Sequence, residues 1–161
     1  MFSSVVPIIY VQIAPDKVTI RNVKSGQVFA EIPEVAIGRV PKPTILAVGS
    51  NARLAAASQH ADLINPFAHP RSMVSDFTVA EQLLKYQIRR ALGNSLFTLS
   101  PRIVIHPLGS PAGGFTQVER RAFREMAAGA GASEVIVWTG RPLTDQELLS
   151  KKFPQGEGQW E

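Results

Sequence analysis

The chain has 161 residues, enough for one domain or for two small lobes that share a core, and its 45% hydrophobic content allows a sizeable interior. The absence of cysteine excludes a disulfide framework, a thiolate metal site and a cysteine nucleophile, and is typical of a protein from the reducing cytoplasm. The net charge of +4 is spread along the chain without clustered aromatic residues, which argues against a nucleic-acid partner.

The first third of the chain has the short, β-branched runs that are typical of antiparallel strands. The predicted strands are Ile8–Ile13, residues 17–23 and residues 27–32, with turn signals at residues 14–16 and 24–26. Connections this short predict hairpins, because a parallel pair needs a crossover of a dozen or more residues. Two shorter strands at residues 35–37 and 45–48, a weak helix at 52–57 and an irregular stretch at 62–70 follow.

An amphipathic helix is predicted at residues 76–92. Ser75 and Asp76 are both cap candidates, Thr78 and Glu81 have the spacing of a capping box, and Gly93 follows as a C-cap. Its apolar residues fall on one face at helical spacing. These residues are Ala80, Leu83, Leu84, Ile88 and Ala91.

A second helix is predicted at residues 116–130, with Thr116 three residues before Glu119. Its predicted buried stripe is Val118, Ala122, Phe123, Met126 and Ala130. Continuous apolar runs at residues 102–105 and 134–138 flank this helix, and such runs predict central parallel strands that are covered on both faces.

Three separated blocks of the sequence form a recognisable pattern. They are AVG at 47–49 with Ala52, Asn65-Pro66 and MVSDF at 73–77; PRIVI at 101–105; and TQVERRA at 116–122 continued by GAGASEV at 129–135. In order and spacing these blocks resemble the bacterial actin-like, rod-shape-determining proteins of the MreB/Mbl family, and the resemblance covers about residues 8–140.

The resemblance implies an actin-like, ribonuclease H-like α/β fold, of which this chain would form only the first half, domain I. The sheet would be mixed, with an antiparallel meander plus parallel strands flanked by helices. We expect domain I at residues 1–149, with a large-lobe core at about 8–32 and 71–149 and a small lobe at about 33–70. The polar residues 150–161 are expected to form a flexible tail.

The resemblance also implies an ATP site whose phosphate-binding turn is altered in this chain. In the family, an Asp-x-Gly-Thr turn between the first two strands holds the phosphates with backbone N–H groups, which requires glycine. The equivalent residues are Gln12, Ile13, Ala14, Pro15 and Asp16. They include no glycine, the proline removes a donor, and the aspartate would repel a phosphate. A second, glycine-rich phosphate loop is expected after about residue 142, where the sequence does not supply one.

Glu119 has two interpretations. By resemblance it stands where the family's glutamate helps to position the water that attacks ATP. By its place after a threonine cap, it is a residue that folds back onto an N–H at the helix start. Without a phosphate turn the capping role is favoured and the hydrolytic role is a relic, so we expect no catalytic residue.

Other chemistry-bearing residues give weaker signals. The loop GSPAGG at 109–114 precedes a helix but lacks phosphate-loop spacing, which favours a plain linker over an anion site. His60, His69 and His106 are too scattered for a metal site, and His106 is interpreted as a satisfied structural residue.

Some family members touch the inner membrane through an apolar loop at the position of Leu96 and Phe97. Arg89 and Arg90 would assist that contact on an anionic membrane. Closure of the core by Leu96 and Phe97 is an equal alternative. The chain has no secretory signal and no apolar run of about 20 residues, so we expect a cytoplasmic protein, peripheral to the inner membrane at most.

The favoured function is that of a non-catalytic, MreB-like cytoskeletal protein of cell morphogenesis. It would bind filaments of a full-length actin-like relative or a cell-wall-synthesis complex, without a cofactor and without nucleic acid. One alternative is a residual ATPase half-site, with ATP and Mg bound only when another chain completes it in trans. Another is an interaction domain that has kept only the fold.

Overall fold

The computed structural model describes residues 6–69, 71–93, 99–109, 115–156 and 158–160. Nine strands and four helices lie within these ranges. The strands are β1 (Ile8–Ile13), β2 (Val18–Asn22), β3 (Val28–Glu31), β4 (Val35–Gly38), β5 (Thr44–Val48), β6 (Asp62–Ile64), β7 (Arg102–Pro107), β8 (Glu134–Gly140) and β9 (Gly158–Trp160). The helices are α1 (Ala52–Ser58), α2 (Phe77–Leu92), α3 (Gln117–Gly129) and α4 (Asp145–Ser150).

The main sheet is mixed, with six strands in the order β3-β2-β1-β7-β8-β9. The β1–β2 and β2–β3 pairs are antiparallel hairpins, whereas β7 lies parallel to both β1 and β8. This arrangement confirms the predicted fold class. The parallel strands are buried along most of their length, as the continuous apolar runs predicted, because helices and loops cover both faces of the sheet.

The two faces of the sheet enclose separate clusters of apolar side chains. On one face, Ile9, Val11 and Ile13 pack with residues of α2 and α3, including Leu83 and Phe123. The other face carries a smaller cluster, whose members are Ile8, Tyr10, Val23, Val104, Ile136, Trp138, Leu143 and Leu148. Alternate residues of β1 therefore contribute to opposite clusters, as strand geometry requires.

Within residues 150–161, which were predicted to form a flexible tail, there is a short strand together with aromatic contacts; the flexibility of the segment stays a prediction. Residues 158–160 form β9, which pairs antiparallel with β8, and Trp160 lies 5.4 Å from the Phe153 ring. Phe153 in turn packs 5.8 Å from Trp138. The polar and glycine-rich composition predicted an unstructured end. Residues 158–160 are nevertheless held by pairing with β8 and by the contact between the Trp160 and Phe153 rings.

A second, three-stranded sheet in the order β5-β4-β6 lies within the range expected for the small lobe. Its short α1 packs on it through Ala52 and Ala56, which meet Ala36 of β4. The stretch 62–70 was predicted to be irregular, and that was wrong at its start, where β6 pairs antiparallel with β4. β6 has only three residues and is not fully buried, so it carries little strand signal of its own.

The helix caps agree with the prediction in part. Asp76 caps α2 by accepting from the Val79 N–H at 3.1 Å, so the Thr78–Glu81 spacing does not mark the cap. A complete capping box occurs instead in α4, between Thr144 and Glu147. Within the described residues, no helix combines the length and the apolar character needed to cross a membrane.

Candidate functional site

The carboxyl ends of β1 and β7 lie side by side, with Ile13 paired to Pro107. Ligands of open α/β sheets bind where parallel strands present their carboxyl ends. The turn after β1, Leu108 and Gly109 after β7, and the first turn of α3 therefore form the candidate site.

The turn after β1 is a tight hairpin with Pro15 and Asp16 at its tip. The Ala14 N–H donates to the Lys17 carbonyl oxygen at 2.9 Å, and the Lys17 N–H donates to the Ala14 carbonyl oxygen at 3.3 Å. Pro15 has no N–H. At most one amide of the turn, that of Asp16, is therefore left to donate to a ligand.

This donor set does not fit a phosphate group. Turns that bind phosphate converge several N–H groups on the anion, usually with glycine to allow close approach. Here the tip offers one N–H beside the exposed Asp16 side chain, whose negative charge would oppose an anion. Gln12, the other predicted residue of the turn, lies within β1 opposite Thr19 and is only partly buried.

Two contacts fix the turn against its neighbours. The Asn65 side-chain amide donates to the Pro15 carbonyl oxygen at 2.8 Å, and the Leu108 N–H donates to the Ile13 carbonyl oxygen at 2.8 Å. Asn65 also accepts from the Phe67 N–H at 3.0 Å. Because both sides of the hairpin are held, opening it to free its amides would break hydrogen bonds on each side.

Glu119 lies in the first turn of α3, and its side chain is turned inward. The Met73 N–H donates to its carboxylate. The second carboxylate oxygen, Oε2, is shielded from solvent and has no hydrogen-bond partner among the residues described. Burial raises the pKa of this carboxyl above its usual value, and the Met73 N–H partly offsets that rise.

The capping interpretation of Glu119 was right about the backbone and wrong about the side chain. Thr116 caps α3 by accepting from the Glu119 N–H at 3.2 Å. The glutamate side chain does not fold back to the helix start, because it bonds the Met73 N–H from the segment before α2. The hydrolytic role of Glu119 stays a prediction.

His106 lies in a closed hydrogen-bond chain on the other face of the sheet. The Leu143 N–H donates to the Tyr10 hydroxyl oxygen at 3.1 Å, and that hydroxyl donates to His106 Nδ1 at 2.6 Å. His106 Nε2 donates to the Gly140 carbonyl oxygen at 3.0 Å. The carbonyl can only accept, so Nε2 carries a hydrogen, and the lowered pKa of His106 keeps the ring neutral near pH 7. His106 is the satisfied structural residue that the sequence predicted.

Burial lowers the pKa of His106 to about 4, with the Gly140 carbonyl opposing the shift. Because the folded pKa is below the unfolded value of 6.5, stability is present above pH 6.5 and is lost as the pH falls toward 4. The free energy of unfolding should fall by up to about 3 kcal/mol in this window. His106→Gln, whose amide can still donate to Gly140, should remove most of that loss in urea titrations from pH 7 to 4. An unchanged pH dependence would show that His106 is not the group responsible.

The residues predicted to contact a membrane are described only in part. Leu96 and Phe97 lie outside the described residues. Arg90 Nη1 pairs with Glu31 at 3.1 Å, and its guanidinium carbon lies 4.7 Å from the Phe29 ring centroid, so this side chain is already engaged. Arg89 is exposed. Membrane contact stays a prediction.

Of the loop 109–114, only Gly109 is described. A Cβ at Gly109 would lie 2.9 Å from Met73 Sδ, so the absence of a side chain there lets Met73 approach. The other residues of the loop lie outside the described ranges, and its role stays a prediction. The described part of the chain contains no group of three metal-ligating side chains.

Sequence reasoning did not identify two residues that shape the site, Asn65 and Met73. The Asn-Pro pair at residues 65 and 66 is a turn signal, and an asparagine side chain at such a turn is a ready partner for nearby backbone groups. Met73 acts through its backbone N–H, which every residue except proline carries. Its side chain gives no signal of this contact.

Comparisons with known proteins agree with the earlier resemblance. A family model described as "MreB/Mbl protein" matches residues 13–142. The chain is 33% identical over 123 residues to the cell shape-determining protein MreB of Pasteurella multocida, covering 74% of this chain and 34% of that protein. With the protein of the same name from Escherichia coli K12 it is 44% identical over 66 residues, covering 40% of this chain and 18% of that protein.

Solved structures share the fold at low sequence identity. MreB 5 of Spiroplasma citri bound to AMPPNP superposes with a TM-score of 0.64 at 21% identity, covering 82% of this chain and 38% of that one. The MamK double helical filament gives a TM-score of 0.55 at 16% identity, covering 81% and 40%. The chain thus spans about a third or less of the curated relatives above and about two fifths of these structures.

Proposed function

The chain belongs to the MreB/Mbl protein family, and from this premise we propose that it acts in cell-shape determination by binding, without a complete nucleotide site of its own. The curated relatives carry the name of cell shape-determining proteins, and one solved neighbour is a filament. The proposed partner is a filament of a full-length actin-like relative, and a cell-wall-synthesis complex is the alternative partner.

The observation that carries this proposal is the hairpin at Pro15 and Asp16. Its backbone is committed to its own hydrogen bonds, and only one N–H is left to donate. Catalysis of phosphoryl transfer depends on positioning and on stabilising the phosphate charge. A turn that cannot hold the phosphates removes that contribution, whereas the surfaces that would meet a partner do not depend on it.

Co-sedimentation with a full-length relative tests the binding role. We expect the chain to pellet with the polymer in a saturable way and to change polymer yield or length, because it has the fold of part of the polymer's own subunit. Bovine serum albumin at the same concentration is the control for trapping. If the chain stayed in the supernatant and left the polymer unchanged, the filament role would be abandoned.

A second candidate function, a residual ATPase half-site completed in trans, is favoured by one observation. Oε2 of Glu119 is buried near the carboxyl ends of the parallel strands with no partner among the described residues. Such a group is suited to accept a hydrogen bond from a water molecule or a ligand. This candidate requires that another chain supply the phosphate contacts that the Pro15 hairpin lacks.

A further inference from the structure

A groove runs between the edge strand β5 and helix α2, and none of the residues that line it belongs to the Pro15 hairpin. It consists of two adjoining cavities of about 720 and 670 Å³, which share Ile45 and Gln82 in their linings. The first cavity is floored by Ile37 and Val79, which are 6% and 8% exposed. The second lies along the remainder of β5. The groove is therefore long, recessed and largely apolar at its floor.

The β5 strand that forms one wall of this groove has a free edge. Among the strands that the structure describes, it is hydrogen-bonded to β4 alone, since it is the outer strand of the three-stranded sheet. Its sequence, TILAV, contains no charged residue and no proline. Native proteins usually protect edge strands with such residues, because unpaired N–H and C=O groups attract another strand.

The helix wall of the groove is cationic at one end. Lys85, Arg89 and Arg90 line the second cavity together with the half-exposed Tyr86. Arg90 is paired with Glu31. Among the described residues, Lys85 and Arg89 form no ion pair, so their charges are available to a ligand. An occupant of this groove should therefore carry negative charge.

We propose that this groove binds an extended, acidic and apolar peptide segment of a partner protein, which adds to β5 as a further strand. Alternate apolar side chains of the segment would face the floor at Ile37 and Val79, and its acidic side chains would meet Lys85 and Arg89. The proposal concerns a surface distinct from the Pro15 hairpin. It holds whether or not the chain binds a nucleotide.

Charge and hydrogen-bonding capacity favour a peptide over two other occupants, a second copy of the chain and a lipid surface. A second copy of the chain would supply its own β5 as the added strand, and that strand, TILAV, carries no acidic side chain to complement Lys85 and Arg89. A lipid surface could neutralise Lys85 and Arg89, but its acyl chains could not satisfy the free backbone groups of β5. Only an extended peptide offers both hydrogen-bond groups and complementary charge.

The test measures binding of synthetic peptides to the full chain by fluorescence anisotropy at low ionic strength. The probe is a seven-residue peptide in which valine and threonine alternate and the two residues at one terminus are glutamates. A second probe carries the two glutamates at the opposite terminus. We expect the acidic peptide to bind at least about tenfold more tightly than the same peptide with lysines in place of the glutamates. A version N-methylated at every residue should not bind, because it cannot donate to the edge of β5.

Matched charge reversals locate the site. Lys85→Glu with Arg89→Glu should abolish the preference for the acidic peptide, whereas Lys17→Glu with Lys152→Glu makes the same change in net charge and should preserve it. An unchanged melting temperature confirms that each variant is folded. The proposal is overturned if the acidic peptide binds no better than the lysine peptide, or if the Lys85 and Arg89 variant binds it normally. It is also overturned if the groove instead supports dimers of this chain or binding to phosphatidylglycerol vesicles without any peptide binding.

Discussion

Replacing Phe123 with alanine is expected to lower the free energy of unfolding by about 3–5 kcal/mol. Phe123 is fully buried on α3, and its ring stacks against Phe67 at 6.4 Å and Phe115 at 5.9 Å between centroids. The substitution removes a large apolar surface and leaves a cavity beside the two remaining rings, Phe67 and Phe115, which the surrounding backbone cannot fill completely. For a domain of this size, such a loss is a large share of the total free energy of unfolding.

Val118→Ala is the matched control on the same helix. Val118 is 78% exposed, so its truncation should change the free energy of unfolding by less than about 0.5 kcal/mol. Urea titration of both variants and the wild type, analysed with a common slope, makes the comparison. A larger loss for Val118 than for Phe123 would mean that α3 presents a different face to the core.

The α3 helix shows where periodicity predicts burial and where it fails. Phe123, Met126 and Ala130 were predicted to be buried and are, whereas the prediction for Val118 was wrong. At about 100° per residue, Val118 lies about 130° from the centre of the buried face. Valine is apolar, but at this angular position its side chain faces solvent and not the core.

The same geometry explains why Glu119 is turned inward. At about 100° per residue it lies within about 30° of the centre of the buried face of α3. Its charge suggested an exposed capping residue, but its angular position places the carboxylate toward Met73. Residue type and residue position gave opposite indications here, and the position determined the outcome.

The strands of the main sheet other than β9 were predictable because they are rich in apolar and β-branched residues and are bounded by turn residues. Ile8–Ile13 has the same bounds in the prediction and in the structure. The strands β6 and β9 were missed because each has three residues and pairs through contacts distant in sequence. The Pro15 hairpin was predictable from local chemistry, whereas its contacts with Asn65 and Leu108 depend on the tertiary fold.

Mg-ATP is expected to show no saturable binding to the chain at concentrations up to about 1 mM. A dissociation constant of about 1 mM corresponds to a binding free energy of only about 4 kcal/mol in magnitude, and a micromolar dissociation constant requires about twice as much. The Pro15 hairpin leaves at most one backbone N–H to donate, and the Asp16 carboxylate beside it disfavours the phosphate charge. Asp16→Asn removes the repulsion without restoring donors, so it should not restore micromolar binding.

The most direct measurement is isothermal calorimetry of Mg-ATP with the chain alone and with a full-length relative whose own ATP site is saturated beforehand. The account predicts no saturable heat for the chain alone. Binding that appears only with the relative, and that Glu119→Gln weakens, would favour the half-site completed in trans. A micromolar dissociation constant for the chain alone would contradict the central claim that its hairpin cannot hold the phosphates.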